Sequence, residues 1–391
     1  MTVTEVTEVE VPVVMGFTPP SVVLTDDDGL LRAGTRGGPY SDDTAVAHEC
    51  TATDLAAPGA PAPDLFRSGF DLADLSGFAE LQDTLERIRV AGRIEDDDAA
   101  VVRGTLGGAT LPLAAGRTVT VMHVADEGLI MRAGGPNGRS VVGARTKGMN
   151  GHAAARSVHA DQDVHGTPLT QVMDGRAPDL FRYHAPDGDN DDAALMLVNL
   201  WIPLQQAVQP LVLGDGPSLD RRRHQLRYGL PTTSFLNRDQ DMVINDIWLF
   251  LHDPGQRWCF RSDLDHRHAW LFDTLSTPHS AGILPGEDVA ERCYDALEEA
   301  EAAVENGDAA GLTEALAPLD GLADEPAPTG APRGLRDAIS AMAAVADEAW
   351  EDPAGTCGPN AERWTAASKA SRRRVVRMSI ELRLVVAVDG R

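Results

Sequence analysis

The chain of 391 residues carries 34 basic and 60 acidic side chains, a net charge of −26, and is 43% apolar. That apolar share is enough for a packed core and excludes a disordered protein. The acidic excess repels nucleic acid and anionic lipid, so neither is expected as a partner. No run of about eighteen apolar residues exists, which argues against a helical membrane span.

The amino terminus is acidic and lacks a basic start followed by an apolar block, so no secretory signal and a cytoplasmic protein are expected. Four cysteines (Cys50, Cys259, Cys293, Cys357) lie far apart without a CxxC pair, which excludes a zinc ribbon. Residues 1–65, rich in Pro, Gly, Thr and Asp, read as an extended arm or irregular lid rather than a domain, with one short apolar alternation around Val9 to Val14. Residues 66–391 read as one large domain. Phe78, Leu81, Leu85 and Ile88 recur at helical spacing, with Ser76 as candidate N-cap and Gly92 as stop. Asp96, Asp97 and Asp98 precede a second short helix.

Thr118 to Val124 has the β-branched enrichment of a strand. A Gly-rich stretch from Gly134 to Gly151 follows. Apolar runs bounded by turn residues come next: Ala194 to Pro203, Gln209 to Leu213, Ile247 to Leu251 and Ala269 to Thr274. Short strands punctuated in this way predict a sandwich or barrel rather than alternating βαβ units. From Glu287 the period changes. Val289, Cys293, Leu297 and Val304 share one helical face and Leu335, Ile339, Met342 and Ala349 another, joined by the Pro-rich segment Pro326 to Pro332. A helical insertion over residues 287–371 is expected, with the strand Val375 to Val388 returning to the earlier sheet. The fold class is therefore mainly β with α elaborations.

On a strand, residues i and i+2 face the same way, so His-x-Asp presents two metal ligands side by side. Among eleven histidines only His159 stands in such a motif, with Asp161, and no His-x-Glu occurs. A third ligand must come from elsewhere, completing a two-His-one-carboxylate face with open positions. The candidate is His279, just past a strand-like run and a Pro. His224, His252, His266 and His268 sit in polar or turn segments and read as turn residues or substrate contacts. In the final strand one face is aliphatic, whereas the other carries Arg377, Ser379, Glu381 and Arg383. Such a face is either solvated or binds an anion. Arg offers a planar fork to a carboxylate, and Ser adds a donor beside it.

These residues resemble those of the iron(II)/2-oxoglutarate-dependent oxygenases, in particular the natural-product hydroxylase and desaturase branch. The segments Val198 to Pro203, Pro210 to Leu213, Thr277 to His279 and Ser379 to Arg383 carry the likeness, over residues 120–285 and 372–390. The resemblance implies a double-stranded β-helix (jelly-roll) core, with Fe(II) held by His159, Asp161 and His279. It implies 2-oxoglutarate as co-substrate on Arg377 and Ser379, with Arg383 as the alternative, and O2 as oxidant. A small molecule would be hydroxylated or desaturated, with release of succinate and carbon dioxide. Asp161 favours those outcomes over halogenation. The long separation between His279 and Arg377 departs from the family, which places the Arg soon after the His.

Asn199 is a further candidate for hydrogen bonding to 2-oxoglutarate or, alternatively, a sheet-edge residue, and Trp201 beside it reads as core. Gln205 and Gln206 either reach substrate or cap the strand. Asp163 and His165 are candidates for the pocket lining, and Met149 to His152 is a loop or a lid hinge. Two other readings stand beside the oxygenase: a non-redox, cupin-like isomerase or lyase on the same metal ligands, and a ligand-binding protein with a degenerate site. Nothing in the sequence sets an oligomeric state.

Overall fold

The computed structural model describes residues 9–34, 45–125, 128–142, 148–232, 243–322 and 330–388. Two β-sheets dominate. The larger has ten strands in the order Glu10–Phe17, Val46–Asp54, Trp258–Phe260, Leu211–Gly214, His279–Ala281, His159–Ala160, Val243–Phe250, Gln225–Thr232, Leu31–Ala33 and Val23–Thr25. The second runs Phe70–Asp74, His268–Asp273, Leu195–Gln205, Arg377–Val388, Thr118–Val124 and Thr110–Pro112, with Ile130–Gly134 also pairing to the Arg377 strand.

The central strand Leu195–Gln205 of the second sheet is buried on both faces, which is why it reads as a near-continuous apolar run. One face of Leu195–Gln205 and Arg377–Val388 (Val198, Leu200, Ile202, Ile380, Leu382, Leu384) packs on the helices Ala79–Ala91 and Asp96–Leu106. The opposite face carries Trp201, which clusters with Phe70, Trp270, Phe272, Leu211 and Leu213, residues drawn from both sheets. Gly92 ends the first helix with φ 71°, a conformation that favours glycine. Ser76 does not cap that helix. Its hydroxyl donates to Asp74 Oδ1 at 2.5 Å, and Phe78 stands at the helix start.

The expected extended arm over residues 1–65 is corrected by the pairing. Glu10–Phe17 runs antiparallel to Val46–Asp54 in unbroken register, and Val46–Asp54 lies parallel to Trp258–Phe260. The apolar alternation extends further than Val14: Val11, Val13, Met15 and Phe17 are all buried, which ties this segment into the large sheet. Residues 1–8 and 35–44 of the segment lie outside the described residues, as do 143–147 of the Gly-rich stretch and 326–329 of the Pro-rich segment.

Between His279–Ala281 and Arg377–Val388 the chain forms helices, the longest being Glu287–Glu305, Arg333–Glu351 and Ala361–Arg373. They have their own apolar core, in which Cys293, Leu297, Leu335, Met342 and Trp364 are buried. The last strand then enters the second sheet between Leu195–Gln205 and Thr118–Val124. Among the described residues no helix is long and apolar enough to cross a membrane.

Candidate metal centre

His159 and His279 are register partners on adjacent antiparallel strands, their ring centroids 4.4 Å apart. The sequence separates them by more than a hundred positions, but the sheet places them side by side. Asp161 lies two residues beyond His159, so its carboxylate returns to the same side. His159 Nε2 is 3.5 Å from Asp161 Oδ1, and His279 Nε2 is 3.9 Å from Asp161 Oδ2. One ligand atom from each residue lies within 4.8 Å of the others, and among the described residues this is the only such cluster.

The imidazoles are oriented for ligation. His159 Nδ1 donates to the Ser157 carbonyl at 2.8 Å, and His279 Nδ1 donates to the Thr277 carbonyl at 3.1 Å. A backbone acceptor on Nδ1 fixes the tautomer whose Nε2 lone pair faces the cluster, as in metal-bound histidines. Phe272 packs on His279 with centroids 4.6 Å apart and shields one side. Both histidines are buried.

Electrostatics hold the carboxylate ionised. Burial opposes the Asp161 charge, but the neighbouring His159, His279 and Arg383 outweigh it and hold the carboxyl far below the usual range. Burial likewise disfavours His159 protonation, yet Asp161 overrides it and raises that pKa. His279 falls to about 4, through burial first and the neighbouring His159 second. Two imidazoles and one carboxylate converging within 4.8 Å fit a divalent ion such as Fe(II).

Asn199 and Arg383 are register partners across the Leu195 and Arg377 strands. Asn199 Nδ2 donates to Asp161 Oδ2, and Arg383 Nη2 is 3.7 Å from the same oxygen. Thr274 Oγ1 donates to Asn199 Oδ1 at 3.3 Å. Both residues are thus attached to the metal-site carboxylate.

Arg377 and Ser379 sit toward the other end of the same strand face, buried at 1% and 0% exposure. Arg377 Nη1 donates to the Gln209 carbonyl at 3.0 Å, Nη2 lies 3.4 Å from Ser379 Oγ, and the guanidinium rests 5.3 Å from the Trp201 ring centroid. Its Nε is buried without a hydrogen-bond partner among the described residues. Burial lowers the guanidinium to about 10. A buried cation with an unused donor and a hydroxyl beside it fits an anionic oxygen. Glu381, between the two arginines, is paired with Arg132 at 2.9 Å.

Several other candidates are engaged elsewhere. Asp163 is fully buried against Arg227. His165 Nε2 lies 3.4 Å from Tyr183 Oη. Gln205 donates to the Val376 carbonyl and Gln206 to the Arg261 carbonyl, so both tie neighbouring strand ends to backbone. Asn150 is bonded in both directions to the Ile94 backbone, which ties down the Met149–His152 loop. His252 stacks on His48 with centroids 4.2 Å apart. Two residues sequence reasoning missed are Gln209 and Glu287. The Glu287 carboxylate accepts from the Gln209, Leu284 and Asn137 backbone N–H groups at 2.7, 3.0 and 2.8 Å, and so holds the loop whose carbonyl takes Arg377.

No family model matches the chain, and no curated protein matches it in sequence. Among solved structures it is similar to an iron and alpha-ketoglutarate-dependent endoperoxidase, NvfI. One form, described as having a different conformation, aligns with TM-score 0.50 and 14% identity over 98% of this chain and 99% of that one. Its fold is the oxygenase jelly roll. A further structure of NvfI aligns with TM-score 0.48 and 15% identity over the same shares. The jelly-roll expectation drawn from the His159 motif and the last strand agrees with this fold.

Proposed function

We propose that this chain is an iron(II)- and 2-oxoglutarate-dependent oxygenase that hydroxylates or desaturates a small molecule, releasing succinate and carbon dioxide. The observation that carries the reading is the convergence of His159 Nε2, His279 Nε2 and the Asp161 carboxylate, with both Nδ1 atoms tied to backbone carbonyls. His159, Asp161 and His279 hold the metal. Asn199 and Arg383 fix the Asp161 carboxylate, so that its orientation does not depend on water. Arg377 and Ser379 take the far carboxylate of 2-oxoglutarate by a charge-assisted hydrogen bond and a hydroxyl donor. Trp201, against the Arg377 guanidinium, and Phe272, against the His279 ring, bring buried apolar surface to both ends. When bound, metal and co-substrate supply the oxidative decarboxylation of 2-oxoglutarate by O2, coupled to oxidation of a substrate C–H bond.

The test is an anaerobic titration with Fe(II) and 2-oxoglutarate, followed by the visible metal-to-ligand charge-transfer band. The band is expected in the native chain and absent from His159→Ala. Divalent metal binding without the band, together with no succinate from 2-oxoglutarate in air, would replace this reading with a non-redox metalloenzyme. Absence of stoichiometric metal would leave a ligand-binding protein.

A further inference from the structure

A second polar cavity, of about 230 Å³, opens among Phe66, Ser68, Arg182, Arg221, Asp273 and Ser276. None of His159, Asp161 and His279 lines it. Its charged groups fall into two sets. Arg182 and His184 both pair with Asp191, and Arg67 is an exposed residue at the edge. Arg221 and Asp273 line the same cavity, yet they form no ion pair with each other or with any other described residue. Arg221 spends Nη1 on Gln225 Oε1 and the Ser276 carbonyl, at 2.8 and 2.9 Å, and its Nε and Nη2 make no hydrogen bond among the described residues. Asp273 is 2% exposed and accepts from the Leu275 backbone N–H at 2.9 Å.

Ser276 hydrogen-bonds Asp273, and the charges of Arg221 and Asp273 favour each other, yet without a direct ion pair two desolvated groups are only partly compensated, a costly arrangement that a bridging molecule would relieve. Burial pushes Asp273 up to about 6 and Arg221 down to about 10. A lone anion would satisfy Arg221 and worsen Asp273, and a lone cation would do the reverse. A molecule carrying a carboxylate and an ammonium a few bonds apart satisfies both at once. The volume falls below the roughly 300–1,000 Å³ of drug-sized pockets, and Leu65, Phe66, Met196 and Pro217 supply an apolar flank for a short side chain.

We infer that this cavity binds a small zwitterion of the α-amino acid class, its carboxylate on Arg221 and its ammonium on Asp273, independently of the metal centre. The test is calorimetric titration of the full chain with glycine, L-alanine, acetate, methylammonium and sulfate as separate probes. L-Alanine and glycine are expected to bind, with acetate, methylammonium and sulfate each weaker by about tenfold or more. His159→Ala should leave alanine binding unchanged. Arg221→Gln and Asp273→Asn should each weaken it by about tenfold or more, with circular dichroism confirming the fold. Acetate or sulfate binding as tightly as alanine would reduce the cavity to an anion site and overturn the inference. So would silence from every probe, or loss of alanine binding in His159→Ala. If either cavity variant fails to fold, the comparison of probes on the native chain still decides.

Discussion

At one end of the barrel, His159 and Asp161 come from a three-residue motif and meet His279 on the neighbouring strand. At the other end, Arg377 rests on the Gln209 carbonyl, 168 positions away, and Gln209 in turn rests on Glu287, a further 78 positions along. The metal end is made of side chains that face one another directly, each fixed by its own backbone: Nδ1 of each histidine bonds a carbonyl two residues before it. The deep end is made through loops and a helix start. The same strand face serves both, with Arg383 near Asp161 and Arg377 six residues earlier. The local end should therefore fail when a ligand is removed, and the assembled end should loosen in steps.

The largest effect is expected at the ligands. His159→Ala or Asp161→Ala should abolish both Fe(II) binding and the 2-oxoglutarate band, while the apo chain keeps its fold. Retained stoichiometric iron in either variant would break the contrast. Next comes Arg377→Gln. Loss of a hydrogen-bonded charge to a carboxylate, worth about 1.5–3 kcal/mol, should raise the KM for 2-oxoglutarate by roughly ten- to a hundredfold and leave iron affinity unchanged. If Arg383→Gln gives the larger KM change, the co-substrate is held at the metal end instead. Asn199→Ala should act on the metal rather than the co-substrate, weakening iron binding about tenfold, the lower range for a residue that orients a ligand.

The parts of this molecule legible in the sequence are those with a short period. The alternation of Arg377, Ser379, Glu381 and Arg383 against Met378, Ile380, Leu382 and Leu384 separates an inner from an outer face, and the structure places the second set in the core beneath the two N-terminal helices. His159 and Asp161 were legible because strand geometry alone puts them together. The pairing of His159 with His279 depends on sheet order, which no local pattern encodes. Glu10–Phe17 was under-read because its alternation is brief and followed by Pro and Gly, yet its partner strand, Val46–Asp54, holds it along its whole length. In the run Arg221 to Arg223, Arg222 and Arg223 are exposed whereas Arg221 lines a cavity, a difference that three identical side chains in a row do not signal. Gln209 and Glu287 leave no signal because they act through backbone groups, which every residue possesses.

Glu287 gives the smallest effect and the finest test of how the deep end is assembled. It is fully buried, and desolvation raises its carboxyl from 4.5 to about 7 against the opposing pull of three backbone N–H groups and the nearby Arg377. A carboxyl whose folded pKa exceeds its unfolded one binds its proton more tightly in the native state. Its contribution to stability is therefore full below the unfolded pKa and is lost as pH rises through the folded one. Between pH 4.5 and 7 the native apo chain should lose thermal stability with rising pH, and Glu287→Gln should flatten that part of the profile. Asp71 and Asp273, each raised to about 6 by burial, add slope of the same sign in both proteins, so the difference between the two curves isolates Glu287. The Gln variant should keep iron affinity and raise the KM for 2-oxoglutarate only a few-fold, because the Gln209 loop loosens without loss of Arg377 itself. Superimposable pH–stability curves would mean that the Glu287 carboxyl is not the buried titrating group, and that the Gln209 carbonyl is held in place by the fold around it.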